Sequence, residues 1–74
     1  MTPKIGSLYR CIYYNESLFI DPMAKAIYLP EYEIFLLLKQ KTEGYSVKIT
    51  ILYKNKTLTK RMFSYQFKDW FRKI

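Results

Sequence analysis

The chain has 74 residues, half of them apolar, and carries 13 Lys and Arg against 6 Asp and Glu, a net charge of +7. That length suits one compact domain over residues 1–74 and leaves no room for a second. With no His and a single Cys, imidazole catalysis, His-ligated zinc and an internal disulfide are all excluded. A domain this short buries a small share of its surface, so most of the eight Tyr and five Phe are expected in the core.

Gly6-Ser7 opens an aromatic and β-branched stretch over residues 8–14, which predicts a strand ended by Asn15-Glu16-Ser17. Cys11, in the middle of it, reads as a small buried hydrophobe. Leu18-Phe19-Ile20 is a second short apolar run, stopped by Asp21-Pro22. Met23-Ala24-Lys25-Ala26 then suits one helical turn with Asp21 as its cap. Ile27-Tyr28-Leu29 leads to the break at Pro30.

Residues 32–39 form the most apolar segment. Tyr32, Ile34, Leu36 and Leu38 point one way, Phe35 and Leu37 the other, which predicts a strand buried on both faces at the centre of a small barrel. Thr42-Glu43-Gly44 turns the chain. From 46 to 54, Val47, Ile49, Ile51 and Tyr53 alternate with Lys48, Thr50, Leu52 and Lys54, a period of two. Asn55 marks a tight turn and 57–63 returns, so this region predicts a β-hairpin. At the end the period changes. Phe67, Trp70, Phe71 and Ile74 share one helical face, Ser64 suits an N-cap, and Arg72 and Lys73 suit the negative C-terminal end. The expected fold is mainly β: a small antiparallel barrel or curved sheet of four to five strands, with a short C-terminal helix of two turns laid over it.

The opening Gly6-Ser7-Leu8-Tyr9-Arg10, the aliphatic strand after Pro30 and the closing Phe67-Lys68-Asp69-Trp70-Phe71 together resemble small accessory proteins of tailed phages. In several of those, a Gly-x-Leu-Tyr-type strand and a final Phe-x-x-x-Phe element bracket a Src-homology-3-like barrel. The resemblance implies such a barrel and an accessory role acting on host machinery, in the host cytoplasm. No site residues carry over from it, and the Src-homology-3 signature for Pro-rich peptides is not evident.

Charge is divided along the chain. Residues 1–38 hold three basic and four acidic side chains and residues 39–74 hold ten and two, so the whole excess lies in the second half. Lys48 and Lys54 are expected on one strand face, with Lys56, Lys60 and Arg61 across the turn and Lys68, Arg72 and Lys73 on the helix. A solvated face that keeps a Tyr-rich domain soluble would explain these charges. So would a surface for anions, and the interleaved rings Tyr45, Tyr53, Phe63 and Tyr65 favour that reading, because basic grooves with stacking rings hold single-stranded nucleic acid. The expected partners are nucleic acid (RNA or single-stranded DNA), contacted with little sequence specificity, or an acidic host protein bound through the same surface. Copies could also associate through exposed edge strands.

Six scattered carboxylates, with no Gly-rich phosphate loop and no metal cluster, point away from an enzyme and from any cofactor. Glu31 and Glu33 share a strand face, as a solvated edge would. Residues 1–6 lack the roughly 7–15 apolar residues of a signal peptide, and the longest aliphatic run falls far short of the ~20 needed to span a bilayer. A soluble intracellular chain is expected, without membrane contact.

Overall fold

In the computed structural model, residues 4–12, 18–30 and 32–74 are described. Seven strands form one antiparallel sheet: β1 (Leu8–Cys11), β2 (Leu18–Ile20), β3 (Ala26–Tyr28), β4 (Ile34–Glu43), β5 (Ser46–Tyr53), β6 (Lys56–Phe63) and β7 (Phe71–Lys73). A 3-10 turn (Ser64–Gln66) and a single helical turn, α1 (Phe67–Trp70), link β6 to β7. The strand order is β3-β2-β6-β5-β4-β1-β7, and the sheet curls into a half-barrel. The fold is thus mainly β with one short helix near the C-terminus, but it has seven strands where four to five are expected from sequence.

Two-residue turns set the register of the central three strands. Gly44 has φ +61°, which it adopts without a Cβ clash, and Tyr45 completes the β4–β5 turn. Lys54 (φ 47°) and Asn55 (φ 64°) form the β5–β6 turn, both central residues left-handed as a type I′ turn requires. Lys41 therefore faces Lys48, and Lys48 faces Arg61. Alternation does the rest: Val47, Ile49, Ile51, Leu58 and Met62 point into the curl, while Lys48, Thr50, Leu52 and Arg61 point out.

The inner face carries the core. Tyr9, Phe19, Phe35, Phe67 and Phe71 are all buried there, with Phe71 edge-on to Phe35 at 5.1 Å and to Phe67 at 5.2 Å. Cys11 is buried among them and makes no disulfide. Leu29, from outside the strands, is buried in the same cluster.

The chain departs from the sequence expectation at four places. No helical turn follows Asp21. Its Oδ1 accepts from Met23 N (2.9 Å) and Lys25 N (2.8 Å), closing a loop between β2 and β3 in which Ala24 has φ 63°. The Asp side chain thus caps a hairpin loop instead of a helix. The second departure is β4, which runs on to Glu43, past the expected end at Lys39. A bulge lies between Leu37 and Lys39, and only the Phe35–Leu37 face is buried; Ile34 is exposed.

The third is the terminal helix, which stops at Trp70. Residues 71–73 pair with β1 instead, because β1 would otherwise leave an open edge and a two-turn helix is marginal by itself. Ser64 does not cap it; Phe71 and Ile74 leave the expected helical face, and Arg72 and Lys73 lie on a strand and not at a helix C-terminus. Last, β1 ends at Cys11 and Ile12 is no longer strand; residues 13 and 14 of the expected strand, and its stop at 15–17, lie outside the described residues.

Candidate nucleic-acid interface

The outer face of the sheet is basic because the register puts cations side by side. Lys41 (β4), Lys48 (β5) and Arg61 (β6) form one row across three strands, each neighbour about 4.8 Å away in the pairing direction. Lys39 stands in the next row, opposite Thr50. Arg61 has a carboxylate partner, Glu43, at 3.2 Å. Lys39, Lys41 and Lys48 make no ion pair among the described residues. Like charges directly opposite one another cost stability, and an anion laid along the row relieves that cost.

At one end of this row the sheet turns a corner lined with rings. Phe63 continues the outer face of β6, two residues beyond Arg61. Ser64 N donates to Tyr45 O (2.8 Å) and Phe63 N donates to Gln66 Oε1 (3.1 Å), which fold the 3-10 turn back against the β4–β5 turn. Tyr65 then stacks on Phe63, centroids 5.8 Å apart and planes 10° from parallel. Tyr45 is 89% exposed, Tyr65 63% and Phe63 53%. With Ser64 and Lys68 these rings line an open notch of about 500 Å³. Ser64 Oγ is buried and has no hydrogen-bond partner among the described residues.

Six of the residues singled out from sequence therefore come together: Lys48, Arg61, Tyr45, Phe63, Tyr65 and Lys68. Of the other six, Lys60 lines an open groove with Lys48 and Arg61 although its ammonium turns inward, and the remaining five lie elsewhere. Lys54 sits in the β5–β6 turn at the far end of the hairpin, its Nζ 3.7 Å from Glu33, and Lys56 stands beside that turn. Tyr53 points into the curl, only 9% exposed, and its hydroxyl donates to Glu33 Oε1 at 2.5 Å. Lys60 also faces inward: Nζ donates to Leu18 O (2.9 Å) and lies over the rings of Trp70 (5.2 Å) and Phe19 (5.8 Å). Arg72 and Lys73 are on β7 at the other end of the strand order. Glu33, read from sequence as half of a solvated acidic edge, serves as the acceptor for Tyr53; Glu31 lies outside the described residues.

Lys39, Lys41 and Arg10 enlarge the basic surface beyond the residues chosen from sequence. The signal for Lys41 was present. A two-residue turn at Gly44-Tyr45 pairs 43 with 46, and hence 41 with 48.

The Tyr53–Glu33 contact has a pH signature. Burial, and then the hydrogen bond to the Glu33 carboxylate, raise the Tyr53 pKa above its ordinary value near 10, and Lys54 is raised as well, chiefly through Tyr53. A raised folded-state pKa adds stability that is fully present below the unfolded value and is lost as pH climbs through the folded one. Stability is thus expected to fall above pH ~10, and Tyr53→Phe is expected to flatten that alkaline limb relative to wild type in denaturant titrations. Identical alkaline limbs in the two proteins would contradict this assignment.

No group of three or more His, Cys, Asp or Glu side chains is placed to hold a metal among the described residues, and no described helix is long and apolar enough to cross a membrane. Compared with protein families, curated proteins and solved structures, the chain matches none.

Proposed function

We propose that this protein binds nucleic acid with little sequence specificity, through the outer face of its half-barrel. The observation that carries this reading is the Lys41–Lys48–Arg61 row, with two Lys lacking carboxylate partners among the described residues and a ring-lined corner at its end. Lysines spaced along a sheet contact phosphates as point charges and read no base edges. Small barrels of the Src-homology-3-like kind implied by the phage resemblance suit this display. The test is binding of unrelated labelled oligonucleotides at about 50 mM salt, where phosphate-directed contacts are strong. Similar affinities for all of them, lost together in Lys41→Glu/Lys48→Glu, support the reading; no binding at that salt rejects it.

A second reading rests on the other half of the outer face. Arg10 and Arg72 face each other across β1 and β7 with no ion pair among the described residues. Beside them Ile74, Leu8, Leu36 and Leu52 form a cross-strand apolar row. Arg beside apolar side chains is the composition of a protein interface, where Lys is disfavoured. An acidic host protein fits this surface, in keeping with the accessory role the resemblance implies. A tagged chain is expected to retain one stoichiometric acidic partner after nuclease treatment and to lose it in Arg10→Gln/Arg72→Gln. Recovery of nuclease-sensitive material alone would reject this second reading.

A further inference from the structure

We propose that the notch formed by Tyr45, Phe63, Tyr65 and Lys68 seats one unstacked nucleobase, which makes the protein selective for single strands; this rests on the nucleic-acid reading above. Among the described residues some rings are exposed away from this notch, Tyr28 and Tyr32, but three exposed rings are gathered in it. Tyr9, Phe19, Phe35, Phe67 and Phe71 are sealed in the core, whereas Tyr45, Phe63 and Tyr65 stay largely exposed at one corner. Burial would have been gained by tucking them in, so their exposure at a shared site asks for an occupant.

The geometry suits a flat one. Phe63 and Tyr65 already lie nearly parallel, 10° between planes, so the pair offers a flat outer ring face. The notch they share with Tyr45, of about 500 Å³, falls within the ordinary range of small-ligand sites. Besides the Tyr45 and Tyr65 hydroxyls, two polar groups of different kinds belong to its lining residues. Lys68 supplies an ammonium at the rim, suited to a phosphate, and Ser64 Oγ is a hydroxyl that is buried without a partner among the described residues.

The notch also opens beside the cationic row. Phe63 and Arg61 lie on the same face of β6, so a strand whose base is seated on the rings continues past Arg61 toward Lys48 and Lys41. A base held inside a duplex has both faces covered by its neighbours and cannot enter. Every base has a π face, so the seat distinguishes single from double strands while tolerating any sequence. A free nucleotide presents the same ring and phosphate, but it leaves the row empty; the strand is the occupant favoured by the arrangement.

The experiment uses the full chain, a short single-stranded oligonucleotide containing 2-aminopurine, the duplex of the same sequence, and AMP. The strand is expected to bind more tightly than the duplex, with quenching of 2-aminopurine fluorescence as the base stacks. Phe63→Leu/Tyr65→Leu is expected to abolish the quench and weaken strand binding by roughly tenfold to a hundredfold while leaving duplex binding unchanged, and Tyr65→Trp is expected to retain the quench. AMP bound as tightly as the strand, with the same dependence on the rings, would support the seat and assign it to free nucleotides. Equal binding of strand and duplex without quenching overturns the seat and leaves the nucleic-acid reading in place. If neither strand nor duplex binds at about 50 mM salt, the underlying reading falls as well.

Discussion

Phe71→Ala is expected to remove about 3–5 kcal/mol of stability, the usual range for deleting a fully buried ring. Phe71 is 2% exposed and meets three other rings: Phe35 at 5.1 Å, Phe67 at 5.2 Å and Phe19 at 6.0 Å. It is also the residue that fastens β7 to the core, through its pairing with Cys11 on β1. A domain of this length is held by roughly 4–11 kcal/mol in total, so one such cavity removes a large part of the margin. Urea denaturation would show this as a large fall in midpoint. Tyr65→Ala, which truncates an exposed ring, is expected to shift it by no more than about 0.5 kcal/mol. Comparable midpoints for wild type and Phe71→Ala would mean that β7 and its ring are not part of the core.

The second large effect concerns binding. Lys41→Glu/Lys48→Glu is expected to weaken single-strand binding by about 25-fold at ~0.1 M salt from lost counterion release alone, since each phosphate contact contributes a salt exponent of about 0.7. Reversing the sign adds to that loss. The fold is expected to survive, because Arg61 stands opposite residue 48 and gains a carboxylate neighbour. Lys54→Glu/Lys56→Glu changes net charge by the same amount at the far end of the hairpin. It is expected to have a small effect on affinity.

Much of the architecture was legible from local pattern. The period of two over 46–54 marks β5, and the turn at Asn55 places β6 opposite it; both follow from which side chains the curl can bury. The terminal strand was not legible. The spacing of Phe67, Trp70, Phe71 and Ile74 satisfies a helix, and only the open edge of β1, a partner about sixty residues away, converts residues 71–73 into a strand. Apolar residues on both faces of β4 misled in a similar way: Phe35 and Leu37 enter the core, but Leu36 joins an apolar row on the outer face.

The candidate site was half legible for a related reason. Charge asymmetry named the right half of the chain, but alternation alone put Lys54 on the face of Lys48, and the turn takes Lys54 off the strand. Lys60 is one residue from Arg61 and therefore on the opposite face, where Leu18 O and two rings receive it. Lys41 required the β4–β5 register. Cross-strand neighbours depend on register, which follows from turn length once the turn is placed to the residue.

The salt dependence of single-strand binding tests the central claim most directly. With three cations of the outer row engaged, log K is expected to fall against log salt with a slope of about −2 for wild type and about −0.7 for Lys41→Glu/Lys48→Glu. The Lys54→Glu/Lys56→Glu control is expected to keep the wild-type slope. Equal slopes for all three proteins, or equal losses from the two reversals, would mean that the row on β4, β5 and β6 is not where the strand lies.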